Sequence, residues 1–122
     1  MIGAAVRDIL LSDPNISQYV GTRIYPYAVP LSSALPAISY SIISDPYKQI
    51  SGFQRVQISV WSEDYTECGD IYKTITDTLE GYSGIVNGVN IIRIVPLDAH
   101  DDYSATTGVY HIPADYKVIF RK

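Results

Sequence analysis

The sequence predicts an α+β fold: an antiparallel β-sheet with one long hairpin, packed on one face by N-terminal helices and one central helix. Three patterns predict it. Apolar residues step by three and four from Ile2 to Leu11 and from Tyr65 to Glu80, the spacing of one helical stripe. Apolar and polar residues alternate from Phe53 to Ser62 and from Val109 to Arg121, the spacing of a half-buried strand. Asn87-Gly88 marks a tight hairpin turn, because both positions tolerate positive φ. Strands linked by hairpins, with few helices between them, give an antiparallel sheet covered on one side.

The elements follow in order. The first helix carries Ile2, Ala5, Val6, Ile9 and Leu10 on one face. Asp13 caps a short second helix with Pro14 at its first position, and Gly21 ends it. Thr22 to Tyr27 is a strand ended by prolines, and Leu31 to Pro36 is a loop. Ala37 to Ser44 sets Ile38, Tyr40 and Ile42 against Ser39 and Ser41. Phe53 to Ser62 sets Val56, Ile58 and Val60 against Arg55, Gln57 and Ser59. These two strands pair as an antiparallel hairpin whose connection, Asp45 to Gly52, extends beyond the sheet.

The central helix carries Tyr65, Cys68, Tyr72, Ile75 and Leu79, with Asp64 and Glu67 as a capping box and Gly81 as its stop. Gly69 inside it costs about 1 kcal/mol, which close packing on the sheet would explain. Val89 to Leu97 is apolar on both faces in places, which suits a central strand. Asp98 to Gly108 is a polar loop. The last strand aligns Tyr110, Ile112, Ala114, Tyr116, Val118 and Phe120, and Pro113 places it at an edge or a bend. At 122 residues the chain is one domain, 1–122, long enough for a core without disulfides.

Composition excludes more than it assigns. A net charge of -4 with nine scattered Lys and Arg argues against a nucleic-acid binder. A single cysteine, Cys68, allows no internal disulfide and fits a reducing compartment. Arg7 and Asp8 interrupt the apolar N-terminus, so no signal peptide is expected. No apolar run approaches the ~20 residues of a membrane span. There is no G-x-S-x-G elbow, and Gly84, Gly88 and Gly108 form no phosphate cradle. Cys68 on an apolar stripe reads as a small core hydrophobe. No catalytic, cofactor-binding or metal residue is assigned.

Asp98-Ala99-His100-Asp101-Asp102 has two readings. It is a divalent-ion loop or a solvated acidic turn. It lacks the glycine and distal glutamate of a calcium loop and the paired histidines of a zinc site, which favours the turn. The eleven tyrosines also have two readings, half-buried strand positions or interface contacts.

Gly21, then Arg23-Ile24-Tyr25-Pro26, then Leu35-Pro36-Ala37-Ile38-Ser39-Tyr40, then Arg55-Val56-Gln57-Ile58-Ser59-Val60-Trp61-Ser62 leading into a helix at Tyr65, form an ordered series. In order and spacing it resembles the small tail-completion proteins of long-tailed bacteriophages, also called tail-terminator or tail-to-head joining proteins. The resemblance runs from Ile2 to Phe120. It implies a subunit that closes into a hexameric ring, caps the major tail tube protein and docks to the head connector. DNA passes through such a ring without being read. The implied places are the virion's tail-neck junction and, during assembly, the host cytoplasm. No catalytic residue is implied.

Within that reading, Tyr47 and Ile50 in the hairpin tip, and Tyr25 and Tyr27 between prolines, are the subunit-interface candidates. Asp98, Asp101 and Asp102 are candidates to line the lumen, where like charge would keep DNA from sticking. Two other classes compete. One is a monomeric adaptor or inhibitor that binds a host protein. The other is a metal-assisted hydrolase using Asp98, His100 and Asp102.

Overall fold

A computed structural model describes residues 2–44 and 51–121. Three helices, α1 (Ile2–Leu11), α2 (Pro14–Val20) and α3 (Tyr65–Leu79), accompany seven strands. The strands are β1 (Ile24–Pro26), β2 (Ala37–Ser44), β3 (Ser51–Ser62), β4 (Gly84–Val86), β5 (Val89–Ala99), β6 (Asp102–Ser104) and β7 (Val109–Arg121). The sheet runs β1-β2-β3-β7-β5-β4, with β6 paired to the start of β7. The fold is α+β, as the patterning predicts. The sheet is antiparallel throughout except between β1 and β2, which pair parallel because the long connection 27–36 carries the chain back before β2 begins.

All three helices pack on one face. Ile2, Ala5, Val6, Ile9 and Leu10 of α1 are buried, as their spacing requires. Beneath them lie Ile38 of β2, Val56, Ile58 and Val60 of β3, and the even-numbered residues Ile112 to Phe120 of β7. A Cβ on Gly3 would meet the Tyr40 ring at 3.3 Å, so a small residue lets α1 approach β2. Asp13 caps α2 by accepting the Asn15 N–H at 2.9 Å, and its other oxygen accepts from Thr78 Oγ1 on α3. One carboxylate thereby joins two helices. Tyr116 is the largest fully buried side chain, and its hydroxyl is satisfied by Thr76 Oγ1 at 2.7 Å.

Several details differ from the sequence expectation. The buried stripe of α3 is Cys68, Ile71, Ile75 and Leu79. Tyr65 is exposed and Tyr72 half-buried, because the sheet accepts wholly apolar Ile71, three residues after Cys68, and leaves the Tyr72 phenol at the rim. Asp64 caps α3 by accepting the Glu67 N–H, but the reciprocal half of the capping box is absent. Glu67 instead accepts from Ser62 Oγ at 2.9 Å, and Ser62 Oγ accepts the Asp64 N–H at 3.1 Å. Gly69 has nothing within 4 Å of where a Cβ would stand, so packing does not explain it.

Strand β7 is central, not marginal, with β3 on one side and β5 and β6 on the other. Pro113 faces Ser59 of β3, and on its other side falls between Ala114, paired with Ala99, and His111, paired with Asp102. The missing donor sits where the ladder passes from β5 to β6. Strand β5 lies beside the sheet edge, covered by β4 over Val89 to Ile91 alone, and carries two register shifts that bend it. The loop from Asp98 to Gly108 contains the end of β5 and the whole of β6. The strand expected over Thr22 to Tyr27 is shortened to β1. Asn87 (φ 51°) and Gly88 (φ 75°) make the tight β4–β5 turn in the left-handed region, as expected. The expected tip beyond the β2–β3 hairpin falls on residues 45–50, outside those described.

Candidate functional site

Odd-numbered residues of β3 and β7 point away from the helices and form an open sheet face. At one end of that face the Trp61 and His111 rings stack, centroids 3.7 Å apart and 7° from parallel. Trp61 Nε1 donates to Ser39 Oγ at 3.0 Å, which fixes the indole over the neighbouring strand. Burial lowers the His111 pKa from its ordinary value; nearby Asp102 opposes that and His100 adds to it. At neutral pH the imidazole is therefore uncharged, which suits a stack on an indole.

This pair floors a groove of about 730 Å³. One wall is the chain from Tyr27 to Leu35, and the other is the β6–β7 hairpin with Asp102, Tyr103, Ser104 and Thr107. The first wall is braced from within. Tyr25 OH and Ser33 Oγ are 2.9 Å apart, Arg23 Nε donates to Pro36 O at 2.9 Å, and the Tyr27 N–H donates to Tyr40 O at 2.7 Å. Tyr27 holds φ at 68°, an uncommon conformation for a residue with a side chain. The result is that Tyr27 is 85% exposed and Leu31 is fully exposed. The second wall is braced by aromatic contacts, Tyr103 with Tyr110 at 4.6 Å and Tyr65 with Tyr110 at 5.3 Å. Tyr65 OH donates to Asp101 Oδ2 at 2.6 Å, tying the start of α3 to the β5–β6 turn and raising the phenol's pKa.

The structure separates the residues singled out from sequence. Tyr27 lines the groove, whereas Tyr25 is spent on holding the loop through Ser33. Tyr47 and Ile50 lie outside the described residues. Asp98, Asp101 and Asp102 are all exposed, but the structure separates them: Asp98 lies in β5 opposite Asp115, Asp101 on the β5–β6 turn, and Asp102 at the start of β6 in the groove wall. Asp98, near the end of β5, and Asp102, at the start of β6, each accept the N–H of the residue that follows. Among the described residues no three His, Cys, Asp or Glu side chains gather as a metal site. Leu31, Trp61, Tyr103 and His111 were not singled out by sequence. The signal for Trp61 and His111 was their shared parity on the two open-face strands.

Reactive groups elsewhere are muted. Cys68 is buried, and its pKa is pushed up to about 11 by desolvation first and by nearby Asp101 and Glu67 second. Burial pushes the Tyr116 phenol up to about 12. No helix among the described residues is long and apolar enough to cross a membrane.

Comparison with known proteins bears on the fold and the family. No curated protein matches the chain. The fold is similar to that of a chain in the solved virion of a native gene transfer agent particle, with a TM-score of 0.79 and 18% identity over 99% of this chain and 95% of that one. At that identity the likeness speaks for the fold. The family model described as tail completion protein gp17 matches residues 4–121, nearly the whole length, and the chain belongs to that family.

Proposed function

We propose that this tail component works as a ring subunit that caps the finished tail tube and joins it to the head connector, the lumen passing DNA unread. The observation that carries the proposal is the groove. Tyr27 and Leu31 are held out in water by a loop pinned by the Tyr25–Ser33, Arg23–Pro36 and Tyr27–Tyr40 hydrogen bonds. A monomer gains nothing from bracing large apolar side chains outward, whereas a subunit with a neighbour does. A ring needs heterologous contacts, one patch meeting a different patch, and a groove at one end of the sheet supplies one half of such a contact.

The acidic run Asp98 to Asp102 has two fates in a ring: the lumen wall, or the joint between subunits. Asp102 lines the groove itself, which favours the joint. The role asks for no covalent chemistry, in keeping with the muted Cys68.

Electron microscopy of the purified protein, alone and mixed with purified tail tubes, tests the reading. Closed rings, or rings formed on one end of the tubes, are expected. A protein that stays monomeric at high concentration and ignores tubes would overturn it, and would favour the adaptor alternative.

A further inference from the structure

The open sheet face is divided by charge along its length. At the end away from the groove, cross-strand register sets Phe53 against Ile119 and Ile119 against Arg93. The next row sets Arg55 against Lys117, and Arg121 stands at the end of β7 opposite Asn90. Lys117 Nζ lies 4.5 Å over the Phe53 ring. Arg55 is neutralised by Asp115, with an N–O distance of 2.6 Å and Gln57 on the other carboxylate oxygen. Lys117, Arg93 and Arg121 pair with no carboxylate among the described residues. This end is thus an apolar centre, Phe53 with 41% exposure, bordered by cations on its β7 and β5 side.

The groove end is the converse. Its apolar centre is Tyr27, Leu31 and Tyr103, and carboxylates edge it: Asp102 in the wall and Asp101 on the adjoining turn. Both ends belong to one rigid sheet, twelve register pairs long between β3 and β7, so they cannot meet within one molecule. Between molecules they match in polarity and in charge. Complementary fields of this kind set register and partner choice.

We propose that the occupant of the groove is a second copy of this chain, presenting its Phe53 face so that Lys117 and Arg93 approach Asp102 and its neighbours. This rests on the ring reading and deepens it by naming the two halves of the joint. Repeated head to tail, the contact closes if the rotation per subunit allows. A cationic face can also meet phosphate, but Phe53 and Ile119 at its centre suit a protein surface better than a sugar-phosphate backbone.

Thiol trapping tests the pairing. Native Cys68 is buried and stays silent, so introduced thiols report alone. Phe53→Cys and Tyr103→Cys, made separately and mixed under mild oxidation, are expected to give a mixed disulfide dimer, with neither variant doing so alone. The double variant is expected to give a ladder ending at the closed oligomer. In parallel, Lys117→Glu and Asp102→Lys should each raise the assembly concentration at least tenfold, and their combination should restore it. Wild-type rings with no mixed disulfide and no charge effect would overturn this pairing while leaving the ring reading intact. Wild-type protein that closes neither alone nor on tubes would overturn the ring reading itself. Rings that persist in Lys117→Glu but lose bound DNA would reassign the cationic face to phosphate and also refute the pairing.

Discussion

Replacing Leu31 with serine separates folding from assembly. Leu31 is fully exposed in the subunit, so Leu31→Ser removes no intramolecular burial and should move folding stability by less than about 0.5 kcal/mol. In the proposed joint the same side chain passes from water to contact with the second copy's apolar Phe53 face. That transfer is worth about 1.5–3 kcal/mol, roughly a ten- to hundredfold change in each contact's association constant. Every subunit of a ring makes the contact, so the concentration at which oligomers appear should rise at least tenfold. Light scattering over a concentration series reads the second quantity, and a thermal melt of dilute protein reads the first. Tyr27→Gly sharpens the comparison, since glycine accepts φ of 68° without steric cost while removing the exposed ring. It should hold stability within about 1 kcal/mol and still weaken assembly. An unchanged assembly threshold in both variants would refute the groove as a joint. A large fall in melting temperature for Leu31→Ser would show instead that the side chain serves the loop.

Three further outcomes are expected. Gly69→Ala should stabilise the protein by roughly 0.5–1 kcal/mol in urea denaturation, because a methyl group there meets nothing and alanine favours the helix. Tyr116→Ala should cost about 3–5 kcal/mol through the cavity it leaves, whereas Tyr116→Phe should cost about 1–3 kcal/mol by orphaning the Thr76 hydroxyl; equal losses would contradict the packing described. Because the folded-state pKa of His111 lies below its unfolded value, the unfolded chain takes up the proton first as pH falls. Stability is then full above about pH 6.5 and declines toward the folded pKa. His111→Phe, which keeps a ring on Trp61 and cannot titrate, should flatten that part of a melting-temperature profile; a profile as steep as wild type would show that another group is responsible.

What the sequence disclosed was what two periodicities determine. The alternation in β7 named the core face of Ile112 to Phe120 correctly, and the first helix was legible to the residue. Where two positions fit one rule, the rule could not choose. From Cys68, both Ile71 and Tyr72 lie on the helical stripe, and the sheet selected the side chain with no hydroxyl to satisfy. Pro113 misled because a missing N–H suggests an edge, yet a central strand tolerates it where one neighbour ends and another begins. The groove was legible only in part. Tyr27 was noticed as an aromatic between prolines, but its opposite wall is the β6–β7 hairpin, far along the chain. Only the β3–β7 pairing puts His111 on Trp61, and local pattern carries no information about which strands pair.

The two faces of this sheet divide the protein's work. One face is consumed by three helices and holds the groups with reactive potential, Cys68 and Tyr116, in desolvated positions where their protons are held more tightly. A nucleophile needs the opposite, a thiolate or an adjacent base within reach of solvent. The other face receives no helical layer from the described residues, yet it is not a uniformly polar solvent face. Its rows run from cations beside Phe53, through the Arg55–Asp115–Gln57 network, to small buried Ser39 and Ser59 and the Trp61–His111 stack, and end at an acid-edged apolar groove. A monomer has no use for such a gradient, because charges at opposite ends of a rigid sheet exert little force on one another across water and salt. The gradient gains a consequence when a second copy brings unlike ends together, and that is the physical reason to seek this protein's activity in its contacts with its own kind.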